Sequence, residues 1–380
     1  MDPERIRRLS YEELKQYTDN FSEENYIGKF QFGKVYRGKI EWAAFGGTQH
    51  VTVKIWEVPV IYNYFRGDNE ERMMDEIILL RHEKVIHHPG MVKLYGYCHE
   101  GDHLGVVYDF KPLDTVYNFL LKDDFTWLQR IKVALGFACL LKFLHARNPL
   151  YEPFMIRNLD AAHIMLDEEY NPKLIDFGMI TGGIFPDRTI YIHYVYGSYG
   201  YVDPSYDMIG GWTEKSDVFA FGIILLGLIA KRVFTEEDRE ANAPFVHQWA
   251  RSKYGSDTGI KLPKSWLVHG SLQAESNESD TGIKLSKLSL VHGSLQAEPG
   301  FFSTDGANIT RLAMQCVEYY PEYRPTMEKV VKHLLKLQVV KRHAGFLGMD
   351  QVLHGHDTKM TSSPLRYLRA LLKLKRSDNL

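Results

Sequence analysis

The sequence is poor in cysteine. Cys98, Cys139 and Cys316 are its three, far apart and without a Cys-x-x-Cys pair. That excludes a disulfide framework and a cysteine-rich zinc site, and it fits a reducing compartment. Long apolar runs are also missing. The longest, Phe219 to Ala230, is interrupted by Gly222 and Gly227 and falls short of the roughly 20 residues that span a bilayer, so a buried helix is expected there. Neither sign of charge dominates: 46 Lys+Arg stand against 48 Asp+Glu, a net charge of -2. Attachment to nucleic acid by bulk charge is therefore not signalled. Met1-Asp2-Pro3-Glu4-Arg5 shows no apolar signal core and no glycine at position 2 for myristoylation, which makes a cytoplasmic location the expectation. What is present is an ordinary globular composition, 44% hydrophobic and 25% charged, which rules out wholesale disorder and collagen-like chains.

Periodicity divides the chain. Ser10, followed three positions later by Glu13, reads as a capped helix start. Residues 25–60 read as strands, with β-prone pairs such as Val35-Tyr36 and Val51-Thr52-Val53 broken by glycines. Met73, Ile77 and Leu80 share one helical face. Strand-like Met91–Tyr97 and Gly105–Phe110 follow, and from Trp127 helical spacing dominates. The change falls near Lys111–Asp114. Ser256–Glu275 recurs almost unchanged as Ser279–Glu298. Two copies are too few for a solenoid, so a tandem duplication within a surface loop is expected. At the end of the chain, Leu365, Leu368, Leu371 and Leu372 share a face surrounded by Arg366, Arg369, Lys373, Lys375 and Arg376. Such a basic amphipathic helix suits an anionic membrane or a partner; a terminal helix docked on its own domain and a disordered end are the alternatives.

One ordered series of motifs is more specific. Ile27-Gly28-Lys29-Phe30-Gln31-Phe32-Gly33-Lys34-Val35 precedes Val51-Thr52-Val53-Lys54 and a helical Glu76. Ile156-Arg157-Asn158-Leu159-Asp160, Asp176-Phe177-Gly178, Gly200-Tyr201-Val202-Asp203-Pro204, Ser216-Asp217-Val218 and Arg324-Pro325-Thr326-Met327 follow. This series resembles the eukaryotic protein kinase domain, and in detail the plant receptor-like and receptor-like cytoplasmic kinases. The resemblance implies an α+β bilobal protein kinase fold. Its N-lobe would be a small antiparallel sheet with one main helix, and its C-lobe large and mainly helical. The expected divisions are an extension at 1–20, an N-lobe at 21–110, a C-lobe at 111–338 holding the duplicated 256–298, and a basic tail at 339–380.

The same resemblance implies site roles. Ile27, Gly28, Gly33, Val35, Lys54, Glu76 and Met165 would line a nucleotide site, with Lys54 on the α/β-phosphates and Glu76 paired to it. Asp176 would hold Mg²⁺. ATP with Mg²⁺ is thus the implied cofactor, bound weakly, because Phe30 replaces the middle glycine of the phosphate loop and crowds it.

The catalytic loop departs from the pattern at three positions. Asn158 stands at the base position and has no carboxylate to accept the substrate hydroxyl proton. Asp160 puts negative charge where a lysine would stabilise the γ-phosphate. His163 stands where an asparagine would hold metal, and Mg²⁺ prefers hard oxygen donors. Ser205 replaces a family glutamate, which leaves Arg324 to find Glu214 or solvent. Asp217 is expected to anchor the loop backbone. The leading reading is a pseudokinase with little or no phosphoryl transfer, acting as an adaptor or scaffold in plant innate immunity. The resemblance implies an NLR-type immune receptor and active receptor-like cytoplasmic kinases as partners; the charge balance gives no expectation of nucleic acid, and the basic tail suits peripheral contact with the plasma membrane. The rival reading is an active serine/threonine kinase with an atypical loop.

Overall fold

Alternation of apolar residues along the early strands and helical periodicity beyond Trp127 call for a sheet-rich unit and a helical one, and both are found. A computed structural model describes residues 6–30, 32–42, 46–57, 68–147, 153–180, 182, 185, 198–205, 212–235, 245–258 and 289–348. Two compact units emerge: Met1–Asn118 with Ala161–Ile180, and Phe119–Asp160 with Thr181–Leu380. Residues 111–118 and 161–180 thus group with the sheet, beyond the division expected at 110.

The first unit contains β1 (Arg7–Leu9), α1 (Tyr11–Tyr17), β2 (Tyr26–Phe30), β3 (Gly33–Trp42), β4 (Gly47–Trp56) and α2 (Asp68–Arg81), then β5 (Leu94–Glu100), β6 (His103–Tyr108), β7 (Asp114–Thr115) and the short α3 (Val116–Phe119). Its sheet has six strands in the order β1-β5-β6-β4-β3-β2. All its pairs are antiparallel except β1 with β5. The expected extension at 1–20 is therefore part of this unit: β1 closes one sheet edge. The capping box at Ser10 is present, with Glu13 N donating to Ser10 Oγ at 3.2 Å and Ser10 N to Glu13 Oε2 at 2.7 Å. A cap of this kind contributes about 1 kcal/mol. It starts α1 where Leu14, fully buried, joins Val51, Val53, Ile55 and Cys98 in one apolar cluster. Because strand side chains alternate, Thr52, Lys54 and Trp56 of β4 take the opposite face. That alternation aims the lysine at the site described below.

The helical unit begins with α4 (Trp127–Leu144), capped by Thr126. Two further short strands, β8 (Ile164–Leu166) and β9 (Pro172–Leu174), return to the first unit and pair with β7. Then come α5 (Glu214–Ala230), α6 (Val246–Thr258), α7 (Gly293–Gln296), α8 (Ser303–Cys316), α9 (Met327–Leu334) and α10 (Gln338–Arg342). Helix α5 holds the longest apolar run, and every residue from Ser216 to Ala230 is buried. A helix apolar on all sides is a core helix. Its Gly222 permits close approach to α8: a Cβ there would lie 2.7 Å from both Cys316 Cβ and Val317 Cγ1. All three cysteines are free and buried, so they serve as packing groups.

The boundary expected at 339 also shifts, for a physical reason. The tail was placed from 339, yet Val339, Val340, Ala344 and Leu347 are buried. The Asp305 carboxylate accepts from Gln338 N at 2.9 Å and Val339 N at 2.7 Å, which satisfies the open amides at the start of α10. Residues 339–348 thus belong to the helical unit, while the basic segment 362–380 lies outside the described residues. The first repeat lies outside them beyond Thr258. The end of the second repeat is not a surface loop, because Leu290, Val291 and Leu295 are buried. No helix among the described residues is long and apolar enough to cross a membrane.

Candidate functional site

Of the site residues expected from the motifs, Lys54, Glu76 and Asp176 come together in the sheet unit around one buried ammonium. Lys54 lies opposite Val35 on β3 and Val106 on β6. Its Nζ is 2.6 Å from Glu76 Oε2 on α2 and 2.8 Å from Asp176 Oδ1. All three side chains are fully buried. Burial alone would discharge the amine, but the Asp176 and Glu76 carboxylates outweigh it and raise its pKa. Burial also raises Glu76, against the pull of Lys54. Burial works the same way on Asp176, yet Lys54 and His163 beside it win and hold the carboxyl at about 2. The group is therefore a salt-bridged triad in which one cation serves two anions.

Aromatic rings cover it. The Phe30 ring centroid lies 4.4 Å from Lys54 Nζ and the Trp56 centroid 4.6 Å from it. The two rings meet edge to face at 5.8 Å. Phe30, expected only to crowd the phosphate loop, is instead turned inward and buried. A cation held under aromatic faces gains further attraction when desolvated. Gly33 is demanded by the sheet itself, since a Cβ there would sit 1.9 Å from the Ile55 carbonyl oxygen. Gly28 has open space at its Cβ position, so nothing in the sheet unit requires a glycine there. Ile27, Val35 and Met165 are buried. Thr52, on the same face of β4 as Lys54, donates its hydroxyl to the Phe110 carbonyl at 2.9 Å.

Sequence reasoning missed two members of this group. Tyr108, opposite Thr52 in the register, is fully buried, with its hydroxyl on Glu76 Oε1 and 3.0 Å from the Ile175 carbonyl. Burial and the neighbouring Glu76 push its pKa well above 10.0. Only the pairing of β4 with β6 reveals this placement. Trp56 was legible in principle, because a residue two positions after Lys54 on a strand shares its face.

The expected metal position does not suit Mg²⁺. His163 Nδ1 lies 3.5 Å from Asp176 Oδ2, so a nitrogen group and the lysine face the two oxygens of the carboxylate that would bind metal. Mg²⁺ requires an oxygen shell of near-octahedral geometry. No cluster of three or more His, Cys, Asp or Glu able to hold a metal occurs among the described residues. The residues present do not fit a Mg²⁺–ATP complex in this arrangement.

Asn158 and Asp160 belong to the helical unit. Their loop is anchored by Asp217 of α5, as expected: its carboxylate accepts from Ile156 N and Arg157 N, both at 2.9 Å, and lies 3.0 Å from His145 Nε2. Arg157 sits at φ 70°, a conformation that needs such support. The side chains the anchor presents are an amide at 158 and an acid at 160. Asp160 Oδ2 accepts from the Ser198 hydroxyl, a partner that the motifs did not indicate.

Arg324 corrects a second expectation. It reaches neither Glu214 nor solvent, and its buried guanidinium grips the Asp203 carboxylate, with Nη2 at 2.7 Å from Oδ1. Ser205 donates both its N–H, at 2.9 Å, and its hydroxyl, at 2.7 Å, to Asp203 Oδ1. The serine that replaces glutamate thus orients an aspartate two residues earlier, and the ion pair is kept by a different acid.

This architecture, with its lysine–glutamate pair, is that of a protein kinase. Residues 21–264 match the family described as protein tyrosine and serine/threonine kinase. An EPD1-interacting receptor-like cytoplasmic serine/threonine-protein kinase of Nicotiana benthamiana is 33% identical over 332 residues, covering 86% of this chain and 63% of that one. Serine/threonine-protein kinase PBS1 of Arabidopsis thaliana is 35% identical over 249 residues, covering 64% of this chain and 51% of that one. The chain therefore belongs to the protein kinase family, and it is similar to a plant receptor-like cytoplasmic member of it. It spans less than two thirds of the length of these two relatives. Among solved structures, the pseudokinase domain of BIR2, an immune regulator of the RLK/Pelle family, matches with a TM-score of 0.60 at 17% identity, over 90% of this chain and 92% of that one. That likeness establishes the kinase fold, with a sheet-rich N-lobe and a helical C-lobe.

Proposed function

We propose that this protein is a pseudokinase that acts by binding other proteins, as an adaptor or scaffold in plant innate-immune signalling. One observation carries the loss of catalysis: the loop held by Asp217 offers Asn158 and Asp160 where transfer needs a base and a cation. General acid–base help is worth roughly 10²–10⁴-fold, and an acid in place of the γ-phosphate cation opposes the charge that develops in transfer. The Phe30 ring that covers Lys54 points the same way. ATP has to displace the Phe30 ring from Lys54, so its weak affinity here is a conformational cost.

The adaptor role draws on the company of the chain. A relative is named for its interaction with EPD1, and a fold neighbour is an immune regulator with a pseudokinase domain. The partners we propose are an NLR-type immune receptor and active receptor-like cytoplasmic kinases. Phosphoryl transfer to a generic protein substrate with Mg²⁺ or Mn²⁺ tests the reading. No transfer above a Lys54→Met control is expected, and robust transfer overturns it. The rival reading, an active serine/threonine kinase, is favoured by the intact Lys54–Glu76 pair and by relatives named as kinases; the same assay decides between them.

A further inference from the structure

The duplicated segment supplies two identical peptides for one seat. Leu267–Glu275 and Leu290–Glu298 both read LVHGSLQAE. The second is seated on the helical unit, and its own residues make the attachment. Leu290, Val291 and Leu295 are buried. Leu290 N donates to Thr310 Oγ1 of α8 at 3.0 Å, and His292 N to the Ile229 carbonyl of α5 at 2.8 Å. The Glu298 carboxylate accepts from Trp127 N at 2.6 Å, at the start of α4, where a helix presents open amides and favours an anion. Within the peptide, Gln296 Nε2 donates to the Val291 carbonyl at 2.7 Å. Every side chain in that description recurs in residues 267–275, so the seat has no means of distinguishing the two peptides by these contacts.

The flanks do distinguish them. Ser289 lies against Gly306, where an added Cβ would stand 2.8 Å from Ser289 Oγ. The corresponding residue of the first copy is Trp266, which needs far more room. After Glu298, Gly300 takes φ 84° and Phe301 packs edge to face on Trp127 at 5.3 Å. After Glu275 the matching residues are Asn277 and Glu278. Asn tolerates the left-handed region, but Glu278 cannot replace the ring contact.

We propose that residues 267–275 are a second, weaker occupant of this seat, so that the helical unit holds a register exchange of 23 residues within one chain. With the second copy seated, 31 residues separate α6 from the seat and four separate the seat from α8; with the first copy seated these become eight and 27. The total number of connecting residues is unchanged, and closure entropy varies only slowly with length. The exchange therefore moves a long segment from one side of the seat to the other at little entropic cost. The competitor is tethered, so its effective concentration far exceeds that of another molecule.

A double-mutant cycle in the full chain tests this. Leu272→Glu alone should leave the melting temperature unchanged. Leu295→Glu alone should lower it by a few degrees, to roughly 5 °C at most, because the weaker first copy takes over, and the two together should lower it by more than roughly 10 °C. The milder pair Leu272→Ala and Leu295→Ala should show the same coupling with smaller shifts. Deleting 276–298, which joins Glu275 to Pro299 and gives the first copy the favourable right-hand flank, should leave a soluble, cooperatively melting protein. Exchange is overturned if Leu295→Glu behaves like the double variant, if both Leu295 substitutions are silent, or if the deletion variant is insoluble. Rescue of Leu295→Glu that depends on protein concentration, with elution at a larger size, would show exchange between molecules and overturn the tethered form.

Discussion

The ion-paired group of the sheet unit and the catalytic loop of the helical unit depart from an active kinase in opposite ways. In the sheet unit the chemically important residues are present but covered: Lys54, Glu76 and Asp176 bind one another beneath Phe30 and Trp56. In the helical unit the scaffold is present and the chemistry is replaced, since Asp217 still holds the loop backbone while Asn158 and Asp160 occupy the working positions. Burial accounts for the contrast. Removing one member of a fully buried triad leaves charge stranded in the interior, a loss of roughly 3–5 kcal/mol. Changing residues 158 and 160 leaves the Asp217 anchor intact, because that anchor uses backbone amides. On the proposed pseudokinase reading, the chain can therefore lose its base and its cation without unfolding, but not its lysine.

The largest expected effects test that argument directly. Arg324→Ala strands the buried Asp203 carboxylate and should cost about 3–5 kcal/mol in urea unfolding at neutral pH. Lys54→Met should cost nearly as much, somewhat less because Glu76, already raised by burial, can take up a proton. If Arg324→Ala is severe and Lys54→Met costs under about 1 kcal/mol, the triad is not structural and the comparison fails.

The next effect is a pH dependence of the same triad. Asp176 is held at about 2, below its ordinary 3.8. Its contribution is present above about pH 4 and is lost as pH falls toward 2, amounting to about 2 kcal/mol by linkage. Glu76 has the opposite sign, since its raised pKa makes ionisation costly as pH rises. The useful quantity is therefore wild type minus Asp176→Asn, measured by denaturant unfolding between pH 2 and pH 7. That difference should shrink on acidification, and a flat difference would show that Lys54 does not favour the ionised carboxylate.

How far the sequence discloses all this depends on range. The Ser10 cap, the all-round apolar α5 and the Lys54–Glu76 pair were legible, because each rests on local spacing or on a motif of fixed geometry. The partner of Arg324 was not, since Asp203 is 121 residues away and competes with Glu214 only once the chain is folded. Tyr108 was hidden for the same reason: strand register, not composition, brings it to Glu76. The boundary at 339 was misplaced because the cap of α10 comes from Asp305, 33 residues upstream. The duplication was expected within a surface loop, yet Leu290, Val291 and Leu295 of the second copy are buried, held by partners such as Thr310 that lie 20 residues away.

A smaller effect sharpens the contrast between covered and replaced chemistry. Phe30→Gly removes the ring from Lys54 Nζ. Millimolar ATP should then stabilise the variant by about 1 kcal/mol, a rise of a few degrees in melting temperature, while wild type shifts less. Equal shifts in both would show that Phe30 is not what limits the nucleotide.

The smallest expected effect is none. Asn158→Asp restores a proton acceptor, but it places a second carboxylate two residues from Asp160. Close carboxylates tend to share a proton, which leaves the new base partly neutralised. Asp160 is also engaged by the Ser198 hydroxyl, so it is a settled part of the loop and does not yield its place to a cation. The γ-phosphate would still lack a positive partner, and His163 would still offer nitrogen where magnesium needs oxygen. Such groups act as a unit, and their effects are strongly non-additive. The combined Asn158→Asp, Asp160→Lys and His163→Asn variant, with Phe30→Gly to uncover Lys54, is therefore the smallest change expected to yield measurable transfer. Radiolabelled transfer to a generic substrate, compared across wild type, the single variant and the combined variant, measures this. Transfer by Asn158→Asp alone would show that the acid at position 160 opposes the reaction far less than its charge implies.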